Sequence, residues 1–555
     1  MLLLAAVSLL VYANTLRNSF VFDDEEYIFR NRPVTALSVT GLLRPEKFNN
    51  VFRPVSMATF AFNWAVGHAH PWGYHLFNIL LHMAVTLLLY LVLRKLVERL
   101  PEGGTIAFAA ALLFAVHPIH TEAVAWITGR SELLASGFLL LAWLFHLEDQ
   151  PLPALLCFLL ALLSKESAVV LVPLLVLGDY ARGKLKPLKQ YLGIAGFAVL
   201  FFALFWKLKG GRFGQKAFNP LDNPLASLPL HWRMLNAIRI AWKYVGLHVY
   251  PAKLSCDYSY NAITLYANWR HTLPGLVALL LVLALWIWTI RTRRSGWLMA
   301  LAIYLVGFSV TANILIPTGT IMGERLAYLP SAGFCLLVAL IWIELERRNR
   351  RLAWTVLVGV LAALGARTVI RNRDWRDNST LFVAAVRAVP GSTKMHANAG
   401  GVYYYQGQLE RARSELRTAL RIFPEFPEAV EYLGLTEAKL GNDQEALRLL
   451  QKALTMSGDY SIDYDFVRVN LAEQLMKVRR YNDALHFLDQ VIEESADAPF
   501  VSQARADRAA LRFENGDTEA ARSDVQLALR LDPSNTRAQN LMNAMSPPPT
   551  PLPPK

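Results

Sequence analysis

The sequence predicts an all-α protein in two parts, a polytopic bundle of membrane helices followed by a solenoid of paired helices. Three observations carry this reading. Long apolar runs recur up to about residue 370, and none beyond it is long enough to cross a bilayer. Of 555 residues, 54% are hydrophobic and the mean hydropathy is +0.29, too apolar for an ordinary soluble enzyme. After residue 375, small residues recur with a period of 34, as at Gly400 and Gly434. The expected division is 1–372 for the membrane part, 373–546 for the repeats and 547–555 for a proline-rich tail.

Taken in order, the candidate spans are 1–16, 74–97, 105–117, 131–147, 153–164, 167–180, 190–208, 272–290, 297–316, 326–344 and 353–370. Several are shorter than the roughly 20 residues of a perpendicular span, so tilt, extension into loops or shelter among neighbours is expected of them. The first starts at Met1 directly in Leu2-Leu-Leu4. Its helix would reach only about 24 Å at ~1.5 Å per residue, which places the expected true start upstream. Segment 231–250 is the ambiguous one. Arg233, Asn236, Arg239 and Lys243 fall near helical spacing on one side, with Trp232 and Trp242 close by. Three cations inside a span are costly, whereas an interfacial helix keeps them in water.

Leaving that segment out gives eleven spans. With the N-terminus inside, Arg94-Lys95, Arg182 to Lys189, Arg291 to Arg294 and Arg347 to Arg351 all fall in the cytoplasm, as the positive-inside rule requires. Counting it as a span would put the last two clusters outside. The expected topology therefore sets the first loop and the whole C-terminal region outside the cytoplasm. The same placement accounts for the net charge of +13 without a nucleic-acid partner, since the cations cluster between apolar runs.

The repeats have the tetratricopeptide period. Gly407 and Gly441, Ala412 and Ala446, and Ala419 and Ala453 are each 34 apart. Looser units follow around Ala472 to Ala484 and Ala509 to Pro533, and Ala385 and Pro390 mark a half-repeat joined to the last span, giving about four repeats and a half-unit. Such stacks present a concave surface to extended peptides.

Several chemistries lack support. The three cysteines, Cys157, Cys256 and Cys335, have neither disulfide nor zinc spacing. No GxxxxGK[ST], GxSxG or HExxH motif is present, and Gly103-Gly104 and Gly210-Gly211 are expected to be turns, not phosphate loops.

The adjacent carboxylates Asp23 and Asp24 stand just past the first apolar stretch. They read either as a solvated, helix-capping turn or as an acidic site in water at a lipid surface. Four polar groups share their side of the membrane in the expected topology. These are Phe52-Arg53-Pro-Val55 with the histidines after it, His117-Pro-Ile-His120-Thr-Glu122 running on to Arg130 and Glu132, Ser164-Lys165-Glu166, and Pro317 to Glu324-Arg325. Pro118 interrupts any helix between His117 and His120, which favours packing or substrate contact there over a metal site. Lys165-Glu166 and Glu324-Arg325 each read singly as ion pairs at helix ends. Jointly, the groups suit a phosphate-bearing, lipid-linked substrate, with cations holding the phosphate and a carboxylate accepting the proton of an attacking hydroxyl.

Phe22-Asp-Asp24, Phe52-Arg-Pro54, Gly73-Tyr-His-Leu-Phe-Asn78, His117-Pro-Ile-His-Thr-Glu122, Gly129-Arg-Ser-Glu132, Ser164-Lys-Glu166, Cys256-Asp-Tyr258 and Gly323-Glu-Arg325, followed by these repeats, resemble the transmembrane and tetratricopeptide-repeat (TMTC) family. Those proteins are GT-C-type glycosyltransferases associated with protein O-mannosylation. The resemblance covers nearly the whole chain, residues 209–260 matching the family's central loop region. It implies an inverting transfer of sugar from a polyprenyl-phosphate carrier to protein Ser/Thr, with Asp23 or Asp24 as the base. It implies Arg53, Arg130, Lys165 and Arg325 as phosphate contacts, and His120, Glu122 and Glu132 toward sugar or a divalent cation. Glu166 and Glu324 complete the implied donor-binding set, and the repeats would take the protein acceptor. Two other classes stay open on the residues alone: a non-enzymatic membrane-anchored scaffold, and a lipid-linked glycan flippase or polymerase.

Overall fold

The computed structural model describes residues 1–45, 51–208, 219–292, 294–314, 317–456, 464–495 and 497–545. The proline-rich tail and the Gly210-Gly211 pair lie outside the described residues, as do the last two residues of the expected span 297–316. Among the described residues the protein is all helical, with no strand. It divides into two compact units, Met1–Ser392 and Thr393–Lys555, so the expected half-repeat helix Asn378–Ala388 groups with the first.

Among the described residues of the first unit, five helices are long and apolar enough to cross a membrane: Pro71–Leu96, Ile127–Leu147, Leu188–Leu208, Trp269–Arg291 and Arg350–Asp374. Gly103–Val116 and Pro118–Ala125 together pass the same test but bend by 52°. The break falls where His117 is extended (φ −71°, ψ 123°), the conformation a following proline imposes. Gly103-Gly104, expected as a turn, opens the first helix of that pair. Leu2–Arg17, Pro151–Ser164 and Ser295–Ser309 are apolar but shorter. The expected spans 167–180 and 326–344 correspond to Leu171–Arg182 and Pro330–Arg348.

The core of this unit gathers Phe114, Trp143, Phe158, Leu336 and Met299 from separate helices. Small residues let the backbones close up, as in other membrane bundles. At Gly333 an added Cβ would stand 2.4 Å from the Ala300 carbonyl oxygen, so only glycine permits that crossing. Leu230–Val249, the expected interfacial helix, buries Asn236, Ile240, Tyr244 and His248 along one face.

The second unit stacks antiparallel helix pairs from Thr393–Tyr405 through Thr536–Ala544. The 34-residue period has a steric cause. Gly400 faces Leu416, and Gly434 faces Leu450, where an added Cβ would come within 2.5 and 3.0 Å of the leucine Cγ. Gly407 and Gly441 have φ of +72° and +83°, the left-handed conformation that closes each turn.

Candidate active site at the acidic loop

The loop carrying Asp23 and Asp24 is sewn to the far end of the first unit. Asn18 donates its side-chain amide to the Asn372 carbonyl (3.1 Å), and the Ser19 N–H reaches the Arg376 carbonyl (2.8 Å). The Phe22 N–H donates to Asn378 Oδ1 at 2.8 Å. Phe22 itself is held at φ +57°, an unusual and costly conformation for a bulky residue. Its ring packs against Trp126 and Phe382. Strain just before an acidic pair is maintained only because its surroundings over-determine it.

The two aspartates differ. Asp24 is fully buried: Oδ2 accepts from the Val21 N–H (2.9 Å), and Oδ1 accepts from both the N–H and the hydroxyl of Thr128. Burial pushes its carboxyl up to about 7, with the charge of Asp23 adding to the rise, while the Thr128 and Val21 hydrogen bonds oppose it. Asp23 is half-exposed. Glu25 is exposed and Glu26 pairs with Arg30 at 2.7 Å.

Three ion pairs stand around the acidic loop. Arg53 grips Glu166 with two nitrogens, at 2.9 Å to Oε1 and 3.3 Å to Oε2. Lys165 pairs with Glu132, both buried. Arg325 pairs with buried Glu122, which also accepts the Arg325 N–H at 2.9 Å, and the guanidinium lies 5.1 Å from the Trp126 ring centre. These pairs form one electrostatic patch. Lys165 senses Arg53, Glu166 and Arg325 besides Glu132, and Arg325 senses Glu132 and Asp23 besides Glu122. Burial alone would raise Glu166, but the charge and hydrogen bonds of Arg53, helped by Lys165, draw it down to about 2.

Arg130, His120 and Glu324 have different settings. Arg130 is fully buried, donating to Asn78 Oδ1 (2.8 Å), Asn63 Oδ1 (2.6 Å) and the Tyr74 carbonyl (3.0 Å), with Phe60 and Phe77 rings 4.6 and 4.5 Å away. Such a guanidinium ties helices together. His120 bonds Ser331 Oγ at 2.6 Å and packs on Phe114 and Tyr328. Glu324 accepts from the Ser255 N–H (2.6 Å) and the Tyr258 hydroxyl (2.7 Å), and faces buried Arg371 at 4.0 Å. Burial raises the Glu324 carboxyl. No group of three or more His, Cys, Asp or Glu side chains suited to a metal occurs among the described residues.

Sequence reasoning missed Thr128 and Tyr244. The Tyr244 hydroxyl accepts from the Gly323 N–H (3.0 Å) and donates to the Gly323 carbonyl (2.8 Å), fixing the backbone just before Glu324-Arg325.

Fold and site together define a helical protein with several membrane-length apolar helices, a cluster of paired carboxylates and cations, and a repeat unit. Residues 398–461 and 469–536 match the Tetratricopeptide repeat family. Over most of its length the chain is similar to TMTC proteins. It is 29% identical over 443 residues to "Protein O-mannosyl-transferase F38B6.6" of Caenorhabditis elegans, covering 77% of this chain and 63% of that protein. It is 27% identical over 592 residues to "Protein O-mannosyl-transferase TMTC3" of Mus musculus, covering 96% of this chain and 64% of the relative. With "Protein O-mannosyl-transferase Tmtc1" of Drosophila melanogaster the figures are 28% over 535 residues, 77% and 62%. The chain thus spans less than two thirds of the length of these relatives.

Proposed function

We propose that the protein is a membrane glycosyltransferase that moves a sugar, by the relatives' names mannose, onto Ser/Thr hydroxyls of polypeptides outside the cytoplasm. The donor in this reading is a polyprenyl-phosphate-linked sugar, and the repeat unit binds the acceptor chain. The observation that carries it is the gathering of half-exposed Asp23 with the ion pairs of Arg53, Lys165 and Arg325 in one electrostatic patch.

Asp23 is the base in this mechanism. The acceptor oxygen attacks the anomeric carbon, the Asp23 carboxylate takes the hydroxyl proton, and the bond from that carbon to the phosphate oxygen breaks with its electron pair. The configuration inverts. Arg53, Lys165 and Arg325 stabilise the charge that collects on the departing phosphate. Each arginine carries five donors, more than its glutamate partner occupies, so pairing and phosphate contact are compatible. Asp24 is the positioning residue, because both its oxygens are occupied by Val21 and Thr128. Arg130, His120 and Glu324 support the site from behind.

The test is sugar transfer from a polyprenyl-phosphate donor by Asp23→Asn and Asp24→Asn proteins. Asp23→Asn is expected to lose about 10²- to 10⁴-fold in rate. Asp24→Asn should lower rate and stability together. Full activity in Asp23→Asn sinks the assignment of the base.

A further inference from the structure

A second polar site lies apart from the acidic loop, between the helices Leu230–Val249 and Trp269–Arg291 and the segment 262–266. There a cavity of about 530 Å³ is lined by Arg239, Lys243 and His271 together with Trp242 and Tyr266. None of its lining residues carries a carboxylate. Among the described residues Arg239 donates only to neutral oxygens, Asn236 Oδ1 at 3.1 Å and the Thr264 carbonyl at 3.3 Å, and stands 4.4 Å from the Tyr266 ring centre. Lys243, one helical turn on, makes no hydrogen bond or ion pair among the described residues. Two like charges at this spacing repel each other, and no acid in the lining offsets them.

The walls are held in place. Asn236 clamps Tyr266 from both sides of its amide, donating to the Tyr266 carbonyl (2.8 Å) and accepting its N–H (3.0 Å). Trp242 donates its indole N–H to the Gly275 carbonyl at 3.2 Å. Tyr266 stacks on His271 with ring centres 4.2 Å apart. Gly275 borders the cavity, and a Cβ there would already touch Arg239 and Ile238 at 3.4 Å.

Next to this cationic chamber runs an apolar strip. Only 6% of the most apolar window of Trp269–Arg291 is buried, and Leu273, Val277, Leu280 and Leu281 are exposed along it. An anion-binding chamber continuing into a bare apolar helix fits an amphiphile better than a soluble anion. We propose that this cavity binds the phosphodiester head group of an anionic phospholipid, with the acyl chains lying along Trp269–Arg291. Arg239 and Lys243 hold the phosphate, and Trp242 sits at the head-group level, as tryptophans do at membrane interfaces.

The proposal is independent of the transfer chemistry, and its test reads binding alone. The full-length protein in neutral detergent is titrated with phosphatidylglycerol or phosphatidylcholine and bound lipid is counted by native mass spectrometry. One phosphatidylglycerol should bind more tightly than any phosphatidylcholine. Arg239→Gln and Lys243→Gln should each weaken that binding about fivefold, whereas Arg291→Gln, outside the cavity, should not. Equal binding of the two lipids by the unsubstituted protein overturns the proposal whether or not the variants fold. Inorganic phosphate displacing the lipid at equal concentration also overturns it, because the chamber would then select a free anion.

Discussion

Thr128 donates both its backbone N–H and its hydroxyl to Oδ1 of Asp24, tying the acidic loop to the turn Ile127–Gly129 that starts the next buried helix. With Val21 on the other oxygen, this leaves Asp24 as an internal strut and its neighbour Asp23 half-exposed. The relationship explains how two chemically identical adjacent residues acquire different duties. It also ties the position of Asp23 to a residue over a hundred positions away.

Replacing Thr128 by valine tests that link. The shape is kept and one donor is lost. Thr128→Val should destabilise the protein by about 1–3 kcal/mol, the usual cost of leaving a buried polar group short of a partner. Because the acidic loop shifts with it, sugar transfer should fall by up to about a hundredfold. Steady-state kinetics alongside thermal unfolding check this; a stable, fully active Thr128→Val protein would show that Asp24 needs no such anchor.

The raised carboxyl of Asp24 makes stability depend on pH. Its folded value of about 7 exceeds the ~3.9 of an unfolded chain, so the folded state binds the extra proton between those limits. Stability from this group is therefore complete below about pH 4 and lost as pH rises to about 7, on the order of 4 kcal/mol in all. Unfolding temperature should fall across that window in the native sequence and fall less steeply in Asp24→Asn. Parallel pH profiles for the two proteins would refute the assignment.

The parts legible in sequence were those set by fixed offsets. The repeats showed because Gly400 meets Leu416 and Gly434 meets Leu450 at the same separation. The acidic pair showed because adjacent carboxylates beyond an apolar stretch are conspicuous. The family resemblance groups Arg130 with the phosphate contacts, and in sequence a cation at a helix start reads the same whether its partners are phosphate or amide oxygens. Only the tertiary fold brings Asn63 and Asn78, from two other helices, onto its guanidinium. Thr128 carried no signal at all, because a threonine in a short turn has no pattern until its acceptor is known. The count of spans was blurred for a related reason. Helices such as Pro151–Ser164 read as apolar runs in the sequence, yet at 14 residues they fall short of a full span by length.

The Lys165–Glu132 pair should behave as a buried ion pair. Both side chains are over nine-tenths buried, so removing one strands the other charge in a poor solvent. Lys165→Met alone should cost about 3–5 kcal/mol, and adding Glu132→Leu should recover most of it, since two apolar groups leave nothing unpaired. Transfer activity should be lost in both proteins if Lys165 contacts the donor phosphate. A double variant no more stable than the single one would show that packing, not charge pairing, sets the cost.

The glycines of the repeat unit should rank by the space each leaves. At Gly400 an alanine Cβ would press within 2.5 Å of Leu416 Cγ, a branch point that cannot swing aside as a side-chain tip can. At Gly434 the same atom would stand 3.0 Å from Leu450 Cγ, so a smaller adjustment suffices. Overpacking of this kind costs about 1–3 kcal/mol, which places Gly400→Ala near the upper end and Gly434→Ala near the lower. Gly407→Ala meets no neighbour, yet its φ of +72° is unfavourable to a side chain, for about 1 kcal/mol from the backbone alone. Chemical denaturation followed by circular dichroism separates the three. If Gly434→Ala were the most damaging, contact at the helix crossing would not be what fixes the 34-residue period.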